Sequence, residues 1–245
     1  MRRVETVMGT TATVEIADPL PAARLAELAD EVFAFLREVD ARFSTFRADS
    51  EVSRLNAGDR FEPSPVLREV LARCTALWQQ TNGYFDVYAT GRLDPSGFVK
   101  GWAVQVASDR LLAAGAANHC VDAGGDVRVR GRSPSDQPWR VGIRHPFARD
   151  AVCGVLAGTD LAVATSGVYE RGPHVLDPFT GTAARGLRSV TVVGPDLGEA
   201  DALATAALAM GPAGIAWLST LDGYTSAVVT DDGRFLCSQT LPLAD

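Results

Sequence analysis

After one opening strand, this chain places its helices first and most of its strands later, with no linker between them. That order predicts an α+β fold, helices packed against a mainly antiparallel sheet. Two observations carry it. Between residues 20 and 114 the apolar residues recur at spacings of three and four, the period of a helix buried on one face. From residue 119 the period drops to two, with Gly, Pro and Asp between the runs, as in strands joined by turns.

Residues 4 to 17 alternate and are rich in Val and Thr, which predicts a strand bent at Gly9. Residues 20 to 39 set Leu25, Leu28, Val32, Leu36 and Val39 on one side of an amphipathic helix. A second helix covers 65 to 80, with Val66, Val70, Cys74 and Leu77 inward and Gly83 beyond its end. A third runs from 99 to 114 and stops at Gly115. Strands are expected at 119 to 131, 139 to 145, 151 to 157, 161 to 165 and 187 to 193. A helix over 199 to 210 and a helical piece at 215 to 218 interrupt them, and a hairpin over 224 to 238 turns at Asp231-Asp232-Gly233.

A length of 245 residues allows a sizeable core. Lys+Arg number 23 against 30 Asp+Glu, a net charge of -7, and no cluster of basic residues offers itself to phosphate backbones, so nucleic-acid binding is excluded. Arg128-Val129-Arg130-Gly131-Arg132 alternates like the solvated face of a strand. Cys74, Cys120, Cys153 and Cys237 form no CxxC pair; each is expected to act as a small buried hydrophobe. The first residues show no apolar signal region, and no run of about 18 apolar residues could span a bilayer. The expected location is cytoplasmic.

Four polar, glycine-marked segments interrupt this framework. Asp94-Pro95-Ser96-Gly97-Phe98-Val99-Lys100-Gly101 opens the third helix, and unpaired N–H groups at a helix start favour phosphate. A capping Asp or Ser beside a solvated lysine reads the same residues. Asp122-Ala123-Gly124-Gly125-Asp126 allows a ligand or another backbone to come close, or simply makes a turn. Ala164-Thr165-Ser166-Gly167 is followed by His174-Val175-Leu176-Asp177-Pro178-Phe179-Thr180-Gly181, where the histidine is a candidate general base or a structural residue. His119 and His145 stand in plainer surroundings. In Glu199-Ala200-Asp201-Ala202-Leu203-Ala204-Thr205, Asp201 and Thr205 are four apart and share a helix face. Their oxygens suit Mg²⁺ better than zinc; a helix cap and a back-bonded threonine are the alternative.

Taken in order, Met8-Gly9-Thr10, Arg42-Phe43-Ser44-Thr45-Phe46, Ser50-Glu51-Val52-Ser53-Arg54-Leu55-Asn56, Gly83-Tyr84-Phe85-Asp86, the four segments above and Met210-Gly211 make the chain resemble the ApbE family of FAD:protein FMN transferases. The resemblance spans nearly the whole chain. It implies a single domain over residues 1–245, of the ApbE type (T-fold-like), with a flavin cleft. It implies that Met8, Phe46, Tyr84, Phe85, Asp86, Asp94, Lys100 and Val175 bind FAD. The Gly97 carbonyl, Asp201 and Thr205 would hold Mg²⁺, and His174 would be the general base. It further implies an acceptor protein that presents a threonine or serine hydroxyl, with AMP as the second product. Three departures stand out: a short segment between Asp86 and Asp94, Phe at 46 where Tyr is frequent, and a compressed loop before His174.

Overall fold

The computed structural model describes residues 1–148, 150–168 and 175–244. The chain opens on a hairpin, β1 (Arg2–Val7) and β2 (Thr10–Ile16), rather than one bent strand. Met8 and Gly9 both have positive φ, 52° and 68°, the pairing that a two-residue hairpin turn demands. The helix expected at 20 to 39 is α1 (Ala22–Phe43), with Leu28, Val32, Phe33, Leu36 and Val39 buried.

A six-residue helix, α2 (Glu51–Asn56), was not foreseen; it is too short to show a period and is marked only by its cap, Ser50, which accepts from the Ser53 N–H. The second expected helix is α3 (Pro65–Gln80), with the same bounds as its expectation. Ser64 caps it and Pro65 starts it, although Leu67 rather than Val66 is its first fully buried residue.

The long helix α4 (Ser96–Ala113) begins three residues before its expected start. With α5 (Leu197–Met210) it forms the centre of the molecule. Both helices are buried almost all round, which is why neither shows a sharp apolar stripe. They touch through glycines. A Cβ on Gly101 would lie 2.4 Å from the Leu197 carbonyl oxygen, and one on Gly198 would lie 2.9 Å from the Phe98 ring.

The run at 119 to 131 is a hairpin, β3 (His119–Ala123) and β4 (Asp126–Arg130), reversed at Gly124 and Gly125 with φ of 61° and 92°. The later strands are β5 (Trp139–Arg144), β6 (Val152–Gly158), β7 (Asp160–Gly167), β8 (Leu176–Asp177), β9 (Thr182–Ala183) and β10 (Leu187–Gly194). After α5 come α6 (Pro212–Leu218) and the closing pair β11 (Thr225–Thr230) and β12 (Phe235–Cys237). Among the described residues the main sheet has the order β1-β2-β3-β4-β7-β10-β11-β12, antiparallel throughout. The α+β expectation therefore holds.

Helices α1, α4 and α5 cover one face of this sheet. The β5–β6 hairpin lies over part of the other, where Trp139, Ile143 and Leu156 close on Val127, Val129 and Val163. No helix among the described residues is long and apolar enough to cross a membrane.

Two expectations about side chains need correction. In the Arg128–Arg132 stretch Arg132 is exposed as expected, but Arg128 is buried and Arg130 half-buried. Arg128 is 4% exposed, donates to Gln105 Oε1 at 3.1 Å and pairs with Asp160, while Arg130 donates to Ser108 Oγ at 3.1 Å and pairs with Asp109. The alternate positions of β4 point beneath α4, where pairing offsets the cost of taking these charges out of water. The cysteines are also less uniform than expected. Cys74 is buried, Cys120 and Cys153 are half-buried and Cys237 is exposed on the edge strand β12. Burial pushes the Cys74 and Cys120 thiols up to about 12, far from reactive thiolates.

Candidate active site

One cleft of about 1270 Å³ opens where the β1–β2 turn, the ends of α1 and β7, and the N-terminal turns of α4 and α5 meet. Met8, Phe46, Tyr84, Phe85, Asp86, Asp94, Gly97, Lys100, Val175, Asp201 and Thr205 all line it. These residues come from six separate stretches of chain, so the fold brings together what the sequence holds up to 197 positions apart (Met8 to Thr205). His174 lies outside the described residues, directly before Val175.

The aromatic residues play different parts. Phe46 stands 97% exposed at the mouth, a flat apolar surface. Tyr84 meets Phe179 edge to face, ring centres 4.9 Å apart. Phe85 is 3% exposed, and its ring sits 3.4 Å from where a Cβ on Gly97 would be. A side chain at Gly97 would crowd that ring and Thr205 together. Asp86 and Asp94 shape the rim, since each accepts a backbone N–H two residues on, from Tyr88 at 2.8 Å and from Ser96 at 3.0 Å. Asp94 thereby turns the chain into α4. Leu93, just before it, is gripped by the Asn56 side chain, which donates to the Leu93 carbonyl and accepts its N–H.

The polar end of the cleft is the start of α4 facing the start of α5. Asp201 is 3% exposed, and its Oδ2 accepts the Gly101 N–H at 3.1 Å. Lys100 Nζ lies 3.7 Å from the same oxygen and pairs more closely with Asp126. One turn further along α5, Thr205 Oγ1 is 3.0 Å from Ser166 Oγ, and a Cβ on Gly97 would lie 3.3 Å from it. The first turns of α4 thus meet α5 at two points, Gly97 against Thr205 and Gly101 against Asp201.

Among the described residues no group of three or more His, Cys, Asp or Glu side chains could hold a metal ion. A site here would draw on one carboxylate, one hydroxyl and a backbone carbonyl. All three are hard oxygen donors, and together they fit Mg²⁺, a cation that keeps several of its own waters and takes few protein ligands.

Several lining residues lie outside the expected set. Asp122 on β3 faces the cleft, and burial raises its carboxyl above the ordinary range while the Gly125 N–H it accepts works against that. Ser166 supports Thr205. Trp139, Arg140, Val141, Ile143 and Arg144 of β5 form a wall that no local pattern in the sequence announces. The Asp122 and Ser166 segments were marked by their glycines. The hairpin wall was not, because alternation along a strand does not say which sheet the strand will cover.

The plainer histidines are structural by their contacts. His119 is fully buried between Ser108 Oγ at 2.6 Å and the Ala116 carbonyl at 2.7 Å, and burial lowers its pKa. His145 accepts the Phe147 N–H at 3.2 Å in a turn.

A helix start, an ammonium group and hard oxygen donors at one end, with apolar and aromatic walls at the other, define a cleft suited to a ligand with both phosphates and flat rings. The ApbE family model matches residues 8–91 and 87–229, and the chain belongs to the ApbE family. It is 29% identical over 265 aligned positions to the FAD:protein FMN transferase of Vibrio cholerae, with 83% of this chain and 79% of that one covered. Its fold is similar to the solved flavin transferase ApbE of the same organism, with a TM-score of 0.83 at 26% identity over 98% of this chain and 97% of the other. The ApbE protein of Thermotoga maritima gives a TM-score of 0.84 at 25% identity, with the same coverage.

Proposed function

We propose that this chain is an FAD:protein FMN transferase, acting as one domain over residues 1–245. It would bind FAD in the cleft and move the FMN part onto a threonine or serine hydroxyl of an acceptor protein, releasing AMP. The observation that carries this reading is the meeting of Gly97, Lys100, Asp201 and Thr205 at one end of a cleft whose other walls include Met8, Phe46, Tyr84 and Val175. The names of the relatives agree with it.

In this reading Phe46, Tyr84 and Met8 hold flat ring surface, and Asp86 and Asp94 fix the rim. Lys100 and the first turn of α4 face the pyrophosphate and favour its negative charge. Gly97, Asp201 and Thr205 would hold Mg²⁺, which would supply positive charge to the pyrophosphate. His174 takes the proton from the acceptor hydroxyl. The hydroxyl oxygen forms its bond to the FMN-side phosphorus as the bond from that phosphorus to AMP breaks. Electron pair and charge leave with AMP, and the acceptor keeps FMN through a phosphoester. No nucleophile of the enzyme's own is required.

The test is AMP release from FAD in the presence of Mg²⁺, with and without a protein carrying a threonine in an Asp-x-x-Ser/Thr-x-Ala-Thr segment. AMP that appears only with the acceptor is the expected result. AMP without acceptor would make the chain an FAD pyrophosphatase that uses water, and no AMP in either case would leave it a flavin-binding protein.

A further inference from the structure

We propose that Asp126 is a positioning residue: it keeps the Lys100 ammonium off Asp201, and so sets how tightly the cleft takes a divalent cation. The inference rests on the proposed place of that cation at Asp201 and Thr205. Asp126 is wholly buried and does not line the cleft, so it touches no substrate. It is the first residue of β4, directly under Lys100 of α4. One of its oxygens pairs with Lys100 Nζ, and the other accepts the Thr165 N–H of β7 at 3.4 Å.

Lys100 thus stands between two carboxylates that are each tied to backbone, Asp126 to Thr165 and Asp201 to Gly101. Its closer partner is Asp126; Asp201 Oδ2 is 3.7 Å away. An ammonium and a divalent cation compete for the same carboxylate, and in a poorly solvated cleft that competition is strong. Asp126 decides it by giving the ammonium a closer partner than Asp201. Neither residue needs to move for this to work. Charge alone biases Asp201 toward the metal.

Asp126→Asn removes that bias with little change of shape. The amide oxygen can still accept the Thr165 N–H, while the amide NH₂ repels the ammonium, which then settles on Asp201. The measurement is calorimetric titration of the whole chain with Mg²⁺, and separately with Mn²⁺, in the absence of nucleotide. Asp126→Asn should bind either cation about tenfold more weakly, the low end of what a unit charge within 4–6 Å does to a carboxylate. The double variant Asp126→Asn/Lys100→Met, which has no ammonium to compete, should bind at least as tightly as the native chain.

Unchanged affinity in Asp126→Asn, or failure of the double variant to recover it, overturns the inference and leaves the cation site standing. A native chain that takes up neither cation overturns the site itself, and the inference with it. If Asp126→Asn does not fold, Asp126→Ser removes the same charge in a smaller side chain: it should bind the cations about tenfold more weakly, and Lys100→Met added to it should restore binding. Unchanged binding in Asp126→Ser, or no recovery on adding Lys100→Met, overturns the inference.

Discussion

Asp201→Asn should lower flavin transfer by about 10²–10³-fold, the loss expected when a preorganised electrostatic group is removed from a reacting centre. Asparagine matches aspartate in size, and its amide oxygen can still accept the Gly101 N–H that Asp201 Oδ2 accepts now. Lys100 keeps Asp126 as a partner, so no buried charge is stranded. The fold should therefore survive, with a thermal midpoint close to that of the native chain, while Mg²⁺ affinity measured by calorimetry collapses. Loss of activity together with unchanged Mg²⁺ affinity would take Asp201 out of the proposed metal set.

His174→Asn should cut transfer by about 10²–10⁴-fold, the usual contribution of a general base. Val175, the next residue, is buried at 8% exposure in the cleft wall, and its carbonyl accepts the Ala184 N–H at 2.9 Å. The residue that follows His174 in the sequence therefore stands in the cleft wall. Asparagine can keep a hydrogen bond but cannot take a proton at neutral pH. FAD affinity should change little, and the single-turnover rate should carry the whole effect. In the native chain that rate should also fall toward acid pH, as protonation removes the imidazole's free electron pair. A variant that transfers flavin at the native rate with the native pH profile would make His174 structural and pass the proton to another base.

Much of the frame could be read from local pattern. The bounds of α3 follow from Ser64-Pro65 at one end and Gly83 beyond the other, cues that need no knowledge of the rest of the molecule. Asp201 and Thr205 could be paired because a helix repeats every 3.6 residues, which sets positions four apart on one face. Their meeting with Gly97 could not be read from spacing, since it depends on α4 and α5 crossing closely enough for Gly101 to touch the Leu197 carbonyl. For those contacts only the resemblance offered a guide.

What stayed hidden is what depends on tertiary placement. Asp126 reads as the end of a glycine turn; that it is buried beneath Lys100 follows from the register of the β3–β4 hairpin under α4. Arg128 and Arg130 read as a wet strand face because alternation gives two faces and does not say which one a helix will cover. The β1–β2 reversal was taken for a bend because Met8, unlike Gly9, is not a residue that signals positive φ. The β5 wall of the cleft belongs to the same class: the strand was expected, but its place over the open face of the main sheet was not.

In the proposed reaction flavin leaves FAD and becomes covalently bound to another protein's hydroxyl. Its most direct test is the intact mass of an acceptor incubated with this chain, FAD and Mg²⁺, then denatured and freed of loose flavin. The expected product is an acceptor heavier by one FMN less one water, fluorescent after denaturation, with the gain lost when the acceptor's threonine or serine is changed to alanine. An acceptor of unchanged mass, with FMN found only free in solution, would contradict it.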